Sequence, residues 1–159
     1  MRATQLSIGR TFGVVFDHGE DFFESLSGFC AEQGIRSGYI PMFLGGFSSV
    51  ELVGSCEPIA DPDAPVWSSV SVECVEALGV ATLAWDEDRD RLAPHVHLSV
   101  GLKGQAAQGR TSHLLGATVQ FVSELLVVEV LAPVMTRPAQ PQLYDVPLLT
   151  FGSAGPVPQ

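Results

Sequence analysis

Basic side chains are scarce in this sequence of 159 residues. Eight Lys and Arg stand against eighteen Asp and Glu, so the formal net charge is −10 and the pI is about 4.6. Proteins that bind DNA or RNA usually need a basic face that neutralises phosphates, and eight scattered cations do not supply one. Direct nucleic-acid binding is therefore disfavoured, and so is attachment to an anionic membrane.

Long apolar runs and paired cysteines are also missing. No stretch approaches the ~20 apolar residues of a membrane span, and the start, "MRATQLSIGRTFG", lacks the apolar run of a signal peptide. The three cysteines (Cys30, Cys56 and Cys74) are widely spaced and form no CxxC pair. We expect free thiols in a reducing cytoplasm, with a thiol nucleophile or a zinc ligand as the alternative.

Charged residues of both signs make up only 16% of the chain, whereas hydrophobic residues make up 46%. A chain of this length and composition can bury a core and is expected to form one domain. A soluble protein with little charge often covers part of its surface in a subunit contact. We therefore expect an oligomer.

One helix is indicated, over residues 22–33. Apolar residues recur there at helical spacing, and acidic residues come early, where the helix dipole favours them. The turn "DHGED" (17–21) precedes the helix, and Gly34 follows it in the position where glycine commonly ends helices. The apolar residues of this pattern are Phe22, Phe23, Leu26, Phe29 and Cys30.

The composition and patterning of the remaining sequence are typical of β-strands. Residues 114–132 are apolar enough for a helix, but the Val-rich second half favours a long strand. "DEDRDR" (86–91) is predicted to be a solvated hairpin tip rather than a metal site, and "GQAAQG" (104–109) a loop. The other predicted strands are two short ones around Gly9 (4–10 and 11–17), two within 35–59 broken at Gly45-Gly46, one at 68–85 and one at 94–102. The expected fold is α+β, a mostly antiparallel sheet packed by one main helix.

The stretch "PHVHLS" (94–99) places two histidines on one side of a strand. Residues i and i+2 share a face, with Cα atoms about 6–7 Å apart. The imidazoles of His95 and His97 can therefore converge on one ion at the ~2.0–2.1 Å typical of Zn–N bonds. Ser99 continues this polar face, while Val96 and Leu98 are predicted to point into the core.

His113 is the candidate third ligand. Fifteen residues separate it from His97, and the glycine-rich loop between them could return the chain alongside the first strand. Three protein ligands with an open fourth position are typical of a catalytic or ligand-binding zinc site. The alternative is a hydrogen-bonded network in which the histidines pair with carboxylates such as Glu51 or Glu124. His18 is interpreted as a surface or capping residue.

An ordered series of motifs resembles the PPC domain, the plant-and-prokaryote conserved domain also called DUF296. The likeness spans roughly residues 4–132. It rests on "GEDFF" (19–23), "FCAEQGIRSGYI" (29–40), Gly45-Gly46-Phe47, "PHVHLSVGLKG" (94–104), "TSHLLGATV" (111–119) and "VEV" (128–130). The resemblance implies a small α+β domain, similar in fold to acetolactate decarboxylase, that assembles as a homotrimer. It also implies that His95, His97 and His113 bind a metal, with zinc expected.

The sequence departs from the plant members of this family. They carry an AT-hook that grips DNA, and no Arg-Gly-Arg-Pro hook occurs in this chain. Their contact segment for other proteins corresponds to "SCEPIA" (55–60), which matches poorly. The resemblance thus implies a stand-alone prokaryotic-type PPC domain over residues 1–135, with residues 136–159 adding a C-terminal strand and a loose Pro/Gly tail to the same domain.

Two functions follow as hypotheses. The first is a three-histidine metal site that binds an unidentified small molecule, with enzymatic activity left open and no catalytic residue assigned. Its candidate pocket residues are Gly45, Gly46, Ser99, Glu51 and Glu124, since glycines let backbone approach a ligand closely and a carboxylate can move protons. The second is a trimeric scaffold that recruits protein partners and uses its histidines structurally.

Overall fold

A computed structural model of the chain describes residues 3–54, 68–105, 108–143 and 145–152. The predicted contact segment "SCEPIA" (55–60) and Cys56 lie outside these ranges. Among the described residues, no helix has the length and apolar content that a membrane crossing requires. The elements are β1 (Ser7–Asp17), α1 (Phe22–Gln33), β2 (Gly38–Gly54), β3 (Ser68–Asp86), β4 (Arg91–Gly101), β5 (Gly109–Ala132), β6 (Met135–Thr136), β7 (Ala139–Gln140), a 3₁₀ turn (Pro141–Leu143), β8 (Val146–Pro147) and β9 (Thr150–Phe151).

Part of the main sheet closes into a ring, because β4 pairs with two other strands of the sheet. Strands β1, β5, β2 and β3 lie side by side in that order, each antiparallel to its neighbour. Strand β4 pairs with β3 along one edge and with β5 along the other. Because β3 and β5 also both pair with β2, the strands β2, β3, β4 and β5 form a closed ring, a small barrel. The predicted mostly antiparallel α+β architecture is confirmed.

Helix α1 begins and ends where the sequence predicts. The Asp21 carboxylate accepts hydrogen bonds from the backbone N–H groups of Phe23 and Glu24, both at 2.9 Å, which satisfies two of the unpaired donors of the first turn. Gly34 adopts the left-handed conformation with φ 70° and ends the helix. Phe22, Leu26 and Cys30 form its buried face.

Two strand predictions were wrong in the same way, because a glycine inside a strand was interpreted as a break. Residues 7–17 form one strand through Gly9, and residues 38–54 form one strand through Gly45 and Gly46. A Cβ at Gly45 would lie 2.5 Å from the Val122 carbonyl oxygen, and one at Gly46 would lie 2.6 Å from that of Gln120. The glycines therefore let β5 approach at a shift of register rather than turn the chain.

The predicted strands and the hairpin turn within residues 68–132 are confirmed. Residues 109–132 form one 24-residue strand, with no helical segment. Residues 87–90 form the hairpin turn between β3 and β4, and β5 begins at Gly109 after the predicted loop. This arrangement brings the start of β5 back alongside β4.

The core lies between α1 and the inner face of the sheet. The fully buried ring of Phe22 contacts those of Phe16, Phe43 and Phe47, with centroids 5.6, 5.0 and 6.0 Å away. Full burial of one such side chain stabilises the fold by about 1.5–3 kcal/mol. On β4, Val96, Leu98 and Val100 belong to the same core.

The opposite face of the sheet exposes apolar side chains. Leu44 and Leu78 are register partners across β2 and β3, and Met42 and Leu126 are partners across β2 and β5. Leu78 is 65% exposed, and Val80, two residues further along β3, is 49% exposed. We call this set the outer apolar strip: Met42, Leu44, Leu78, Val80 and Leu126.

Candidate metal centre

The alternation of β4 fixes the direction of two histidines. Because Val96, Leu98 and Val100 are at most 2% exposed, the intervening residues His95, His97 and Ser99 must point to the other face. On the neighbouring strand β3, Thr82 is the register partner of His95, and Val80 is the partner of His97. The predicted placement of both imidazoles on one outer face is confirmed.

The third histidine arrives through the strand that follows. His113 on β5 is the direct register partner of His97 on β4, so their side chains lie next to each other on the same face. The connection between the strands is short, with Leu102 N–H donating to the Gln108 carbonyl oxygen at 3.1 Å. The predicted return of the chain past the glycine-rich loop is therefore present.

The three imidazoles converge. The Nε2 atoms of His95 and His97 are 3.2 Å apart, and one potential ligand atom from each of the three histidines lies within 4.8 Å of the other two. Two nitrogens bound to one tetrahedral zinc at ~2.0–2.1 Å are separated by about 3.4 Å. The spacing of this cluster therefore fits a single metal ion with little rearrangement.

One buried nitrogen of the cluster has no hydrogen-bond partner in the part of the chain that the structure describes. This atom is His113 Nδ1. Buried polar atoms are nearly always hydrogen-bonded or bound to an ion. The neutral donor set and this unpaired nitrogen both fit a cation.

The surroundings of His95 and His113 favour the neutral form of both imidazoles. Burial, the Arg137 guanidinium and the two neighbouring histidines lower the pKa of His95 to about 4. Burial, His97 and Arg137 also lower the pKa of His113, against a smaller opposing effect of the Val96 backbone. A neutral imidazole is the form that binds metals, so His95 and His113 need no deprotonation step near pH 7.

The candidate pocket residues lie at different distances from this cluster. Ser99 is two residues beyond His97, and its hydroxyl lies 2.7 Å from that of Thr111 on β5. Glu51 is exposed and has Gly116 and Ser71 as register partners, whereas Glu124 is exposed and has Leu44 and Val15.

Neither glutamate belongs to the histidine group. Gly45 and Gly46 are explained by the close approach of β5. As ligand-pocket residues, these two glycines, the two glutamates and Ser99 stay predictions.

Sequence reasoning missed Arg137 and Thr82. Arg137 follows β6 directly, and its Nη2 donates to Thr82 Oγ1 at 2.5 Å. Since Thr82 is the register partner of His95, the guanidinium lies beside the histidine cluster. One signal was available in the sequence, because Arg137 is the only charged residue between positions 130 and 144.

The remaining histidine and the described cysteines lie outside the cluster. His18 is exposed, in keeping with its interpretation as a surface or capping residue, and its Nδ1 accepts a hydrogen bond from the Phe121 backbone N–H at 3.1 Å. Cys30 and Cys74 are free thiols. Burial raises the pKa of Cys30 to about 12, so this thiol is unreactive.

Fold and site together define a small antiparallel α+β domain with a three-histidine cluster outside its barrel. The Plants and Prokaryotes Conserved (PCC) domain, the family called PPC above, matches residues 3–131. The chain belongs to this family. A search of curated proteins gave no match.

Solved structures share the fold. A metal-containing protein from Archaeoglobus fulgidus has a TM-score of 0.78 and 19% identity, covering 94% of this chain and 99% of its own. A PPC protein from Pyrococcus horikoshii has a TM-score of 0.77 and 20% identity, covering 94% and 97%. Acetolactate decarboxylase from Bacillus subtilis is more distant, with a TM-score of 0.55 and 11% identity, covering 90% and 62%. The predicted likeness to its fold is confirmed.

Proposed function

We propose that this chain is a metal-binding PCC-domain protein in which His95, His97 and His113 hold zinc, and the zinc in turn binds a small molecule. The observation that carries the proposal is the convergence of three imidazoles within 4.8 Å on an outer face. The Archaeoglobus protein of the same fold, described as metal-containing, supports it.

The residues around such a site would have different roles. The three imidazoles supply neutral ligands, and the paired hydroxyls of Ser99 and Thr111 border the site on one side. When bound, a zinc ion with three protein ligands polarises a carbonyl or carboxylate, or lowers the pKa of a water towards ~7. Because no described carboxylate joins the histidine group, the proposal assigns binding and no proton transfer.

Metal analysis tests this proposal. Protein produced without a His-tag is treated with chelator, refilled with zinc, and freed of excess zinc, and the bound metal is counted per chain. We expect one zinc per chain in the wild type and in His18→Ala, and less than a tenth of that in His97→Ala. Equal zinc content in all three proteins, or none in the wild type, would contradict the site.

We also propose that the domain is a homotrimer assembled through the outer apolar strip. An exposed apolar patch of this kind is costly in water and marks an interaction surface, and the family resemblance implies a trimer. Val80 belongs to the strip and is the register partner of His97, so the interface would reach the edge of the histidine cluster.

The strip also supports the second hypothesis, a trimeric scaffold that recruits other proteins. In that case the histidines hold the fold or the assembly together, and the site binds no small molecule. Light scattering after size exclusion, with and without chelator, separates the two. A trimer that survives metal removal while His95→Ala breaks it would favour the scaffold.

A further inference from the structure

Arg137 is a half-buried cation that forms no ion pair with the residues the structure describes. Its side chain is half-buried, and burial lowers its pKa, yet a guanidinium stays charged at neutral pH. Its Nη2 donates to Thr82 Oγ1, whereas its Nε is buried with no hydrogen-bond partner among the described residues. The ion pairs of the described chain join Arg10 to Glu129 and Arg89 to Asp86, and neither involves Arg137.

The fold holds this guanidinium in place beside the histidines. Strand β6 pairs with the end of β3 through Thr136 and Trp85, so Arg137 follows directly from a fixed backbone position. Thr82, which receives its hydrogen bond, and His95 are cross-strand partners on one face, and such side chains have Cβ atoms about 4.5–5.5 Å apart. Arg137 therefore lies beside the histidine cluster, close enough to lower the pKa values of His95 and His113.

We propose that Arg137 binds the carboxylate group of a small molecule that also occupies the open position of the metal. An unpaired charge away from bulk water is costly unless a counter-charge arrives. A guanidinium matches a carboxylate in shape and offers five donors, of which Thr82 uses one. The location of Arg137 thus indicates a carboxylate-bearing ligand. This inference rests on the proposed metal site.

A titration of metal-free protein tests Arg137 without the metal. The Nε–H resonance of Arg137 in ¹⁵N-labelled, chelator-treated protein is assigned by its loss in Arg137→Lys. Sodium acetate and sodium phosphate are then added separately at constant ionic strength. We expect the Arg137 signal to shift and saturate with acetate, while that of Arg89 does not saturate. A linear Arg137 response equal to that of Arg89, or saturation by phosphate alone, would overturn the proposal.

A second titration uses cobalt(II)-loaded protein, whose visible spectrum reports on ligands of the metal. Oxalate is titrated into the wild type, Arg137→Gln and Arg89→Gln, since both variants remove one positive charge. We expect Arg137→Gln to raise the dissociation constant about tenfold or more at unchanged cobalt content, and Arg89→Gln to leave it unchanged. Equal dissociation constants in the wild type and Arg137→Gln would overturn the proposal.

The two titrations separate the possible failures. If the protein takes up no cobalt, the proposed metal site is wrong, whereas the metal-free titration still decides whether Arg137 binds carboxylates. If Arg137→Gln does not fold, Thr82→Val replaces it, because this variant removes the hydroxyl that holds the guanidinium. We expect Thr82→Val to weaken oxalate binding as well, and an unchanged dissociation constant would count against the proposal.

Discussion

His95 shows how one residue couples the site to the stability of the fold. Its ring packs against those of His97 and His113, with centroids 4.9 and 4.8 Å away, and Arg137 adds a nearby positive charge. Protonation would charge a partly buried ring and place another cation in this group. The folded protein therefore keeps His95 neutral down to a pKa of about 4, below its ordinary value of 6.5.

This shift predicts a pH-dependent stability of the metal-free protein. Above pH 6.5 His95 is neutral in both the folded and unfolded chains. As the pH falls from about 6.5 to about 4, the unfolded chain takes up a proton that the folded chain resists, so stability is lost in that window. Solvent screens a partly exposed ring, so we expect a loss on the order of 1 kcal/mol.

Urea unfolding of chelator-treated protein at several pH values between 4 and 7 measures this loss. His95→Gln is the comparison, because it removes the titrating group and leaves the other acids and bases in place. We expect a shallower pH dependence in the variant. Parallel curves for the two proteins would show that His95 does not carry the effect.

At the scale of the elements, the glycines of β2 control how closely β5 can lie. A Cβ at Gly46 would lie too close to the Gln120 carbonyl oxygen, and a Cβ at Gly45 would lie too close to that of Val122. Backbone atoms cannot move aside as a flexible side chain can. The register of β2 against β5 shifts between Gly45 and Gly46, and this shift depends on the absence of a Cβ at both positions.

Gly46→Ala is expected to destabilise the fold by about 1–3 kcal/mol, the usual effect of overpacking. Gly13→Ala on β1 is the matched control, since a Cβ there would meet nothing within 4 Å, and we expect its stability to equal or slightly exceed that of the wild type. Denaturant unfolding measures both. A Gly46→Ala protein as stable as Gly13→Ala would rule out the close approach as the reason for the glycine.

The elements also show what sequence can predict. The helix was predictable because its signals are local: Asp21 caps one end and Gly34 the other. The shared face of His95 and His97 was predictable because the two-residue period of a strand depends only on neighbours. A glycine within a strand is ambiguous, since turns and close approaches both need it, and this ambiguity produced the wrong breaks at Gly9 and Gly45-Gly46.

The rest of the site depends on contacts between residues far apart in the chain. The family motifs placed His113 with the other histidines, but its pairing with His97 follows from β4 joining both β3 and β5. Arg137 reaches Thr82 across 55 positions, and no periodicity in the sequence encodes that contact. Its isolation among uncharged residues was the only local signal.

At the scale of the whole molecule, the low charge content and the outer apolar strip support the same proposal. A monomer with 16% charged residues would leave Leu78 65% exposed and Val80 49% exposed beside other apolar side chains. Burying such a surface between subunits removes it from water, and apolar area contributes about 25 cal/mol per Å² when buried. The proposed trimer accounts for both features.

Leu78→Glu is expected to shift the protein from trimer towards monomer, because a carboxylate in an apolar interface loses its hydration. Size exclusion with light scattering measures the mass against the 16.9 kDa of one chain. Leu143→Glu, at a 46% exposed site in the 3₁₀ turn, adds the same charge and should stay trimeric. A monomeric wild type, or a Leu78→Glu protein that remains trimeric, would count against this interface.

The proposed site consists of three imidazoles that hold one zinc ion with an open position. X-ray absorption at the zinc edge of untagged, zinc-loaded protein tests it most directly. We expect three imidazole nitrogens at ~2.0–2.1 Å and one further light atom, with no sulfur at ~2.3 Å. A sulfur shell, or a spectrum of fully hydrated zinc, would contradict it.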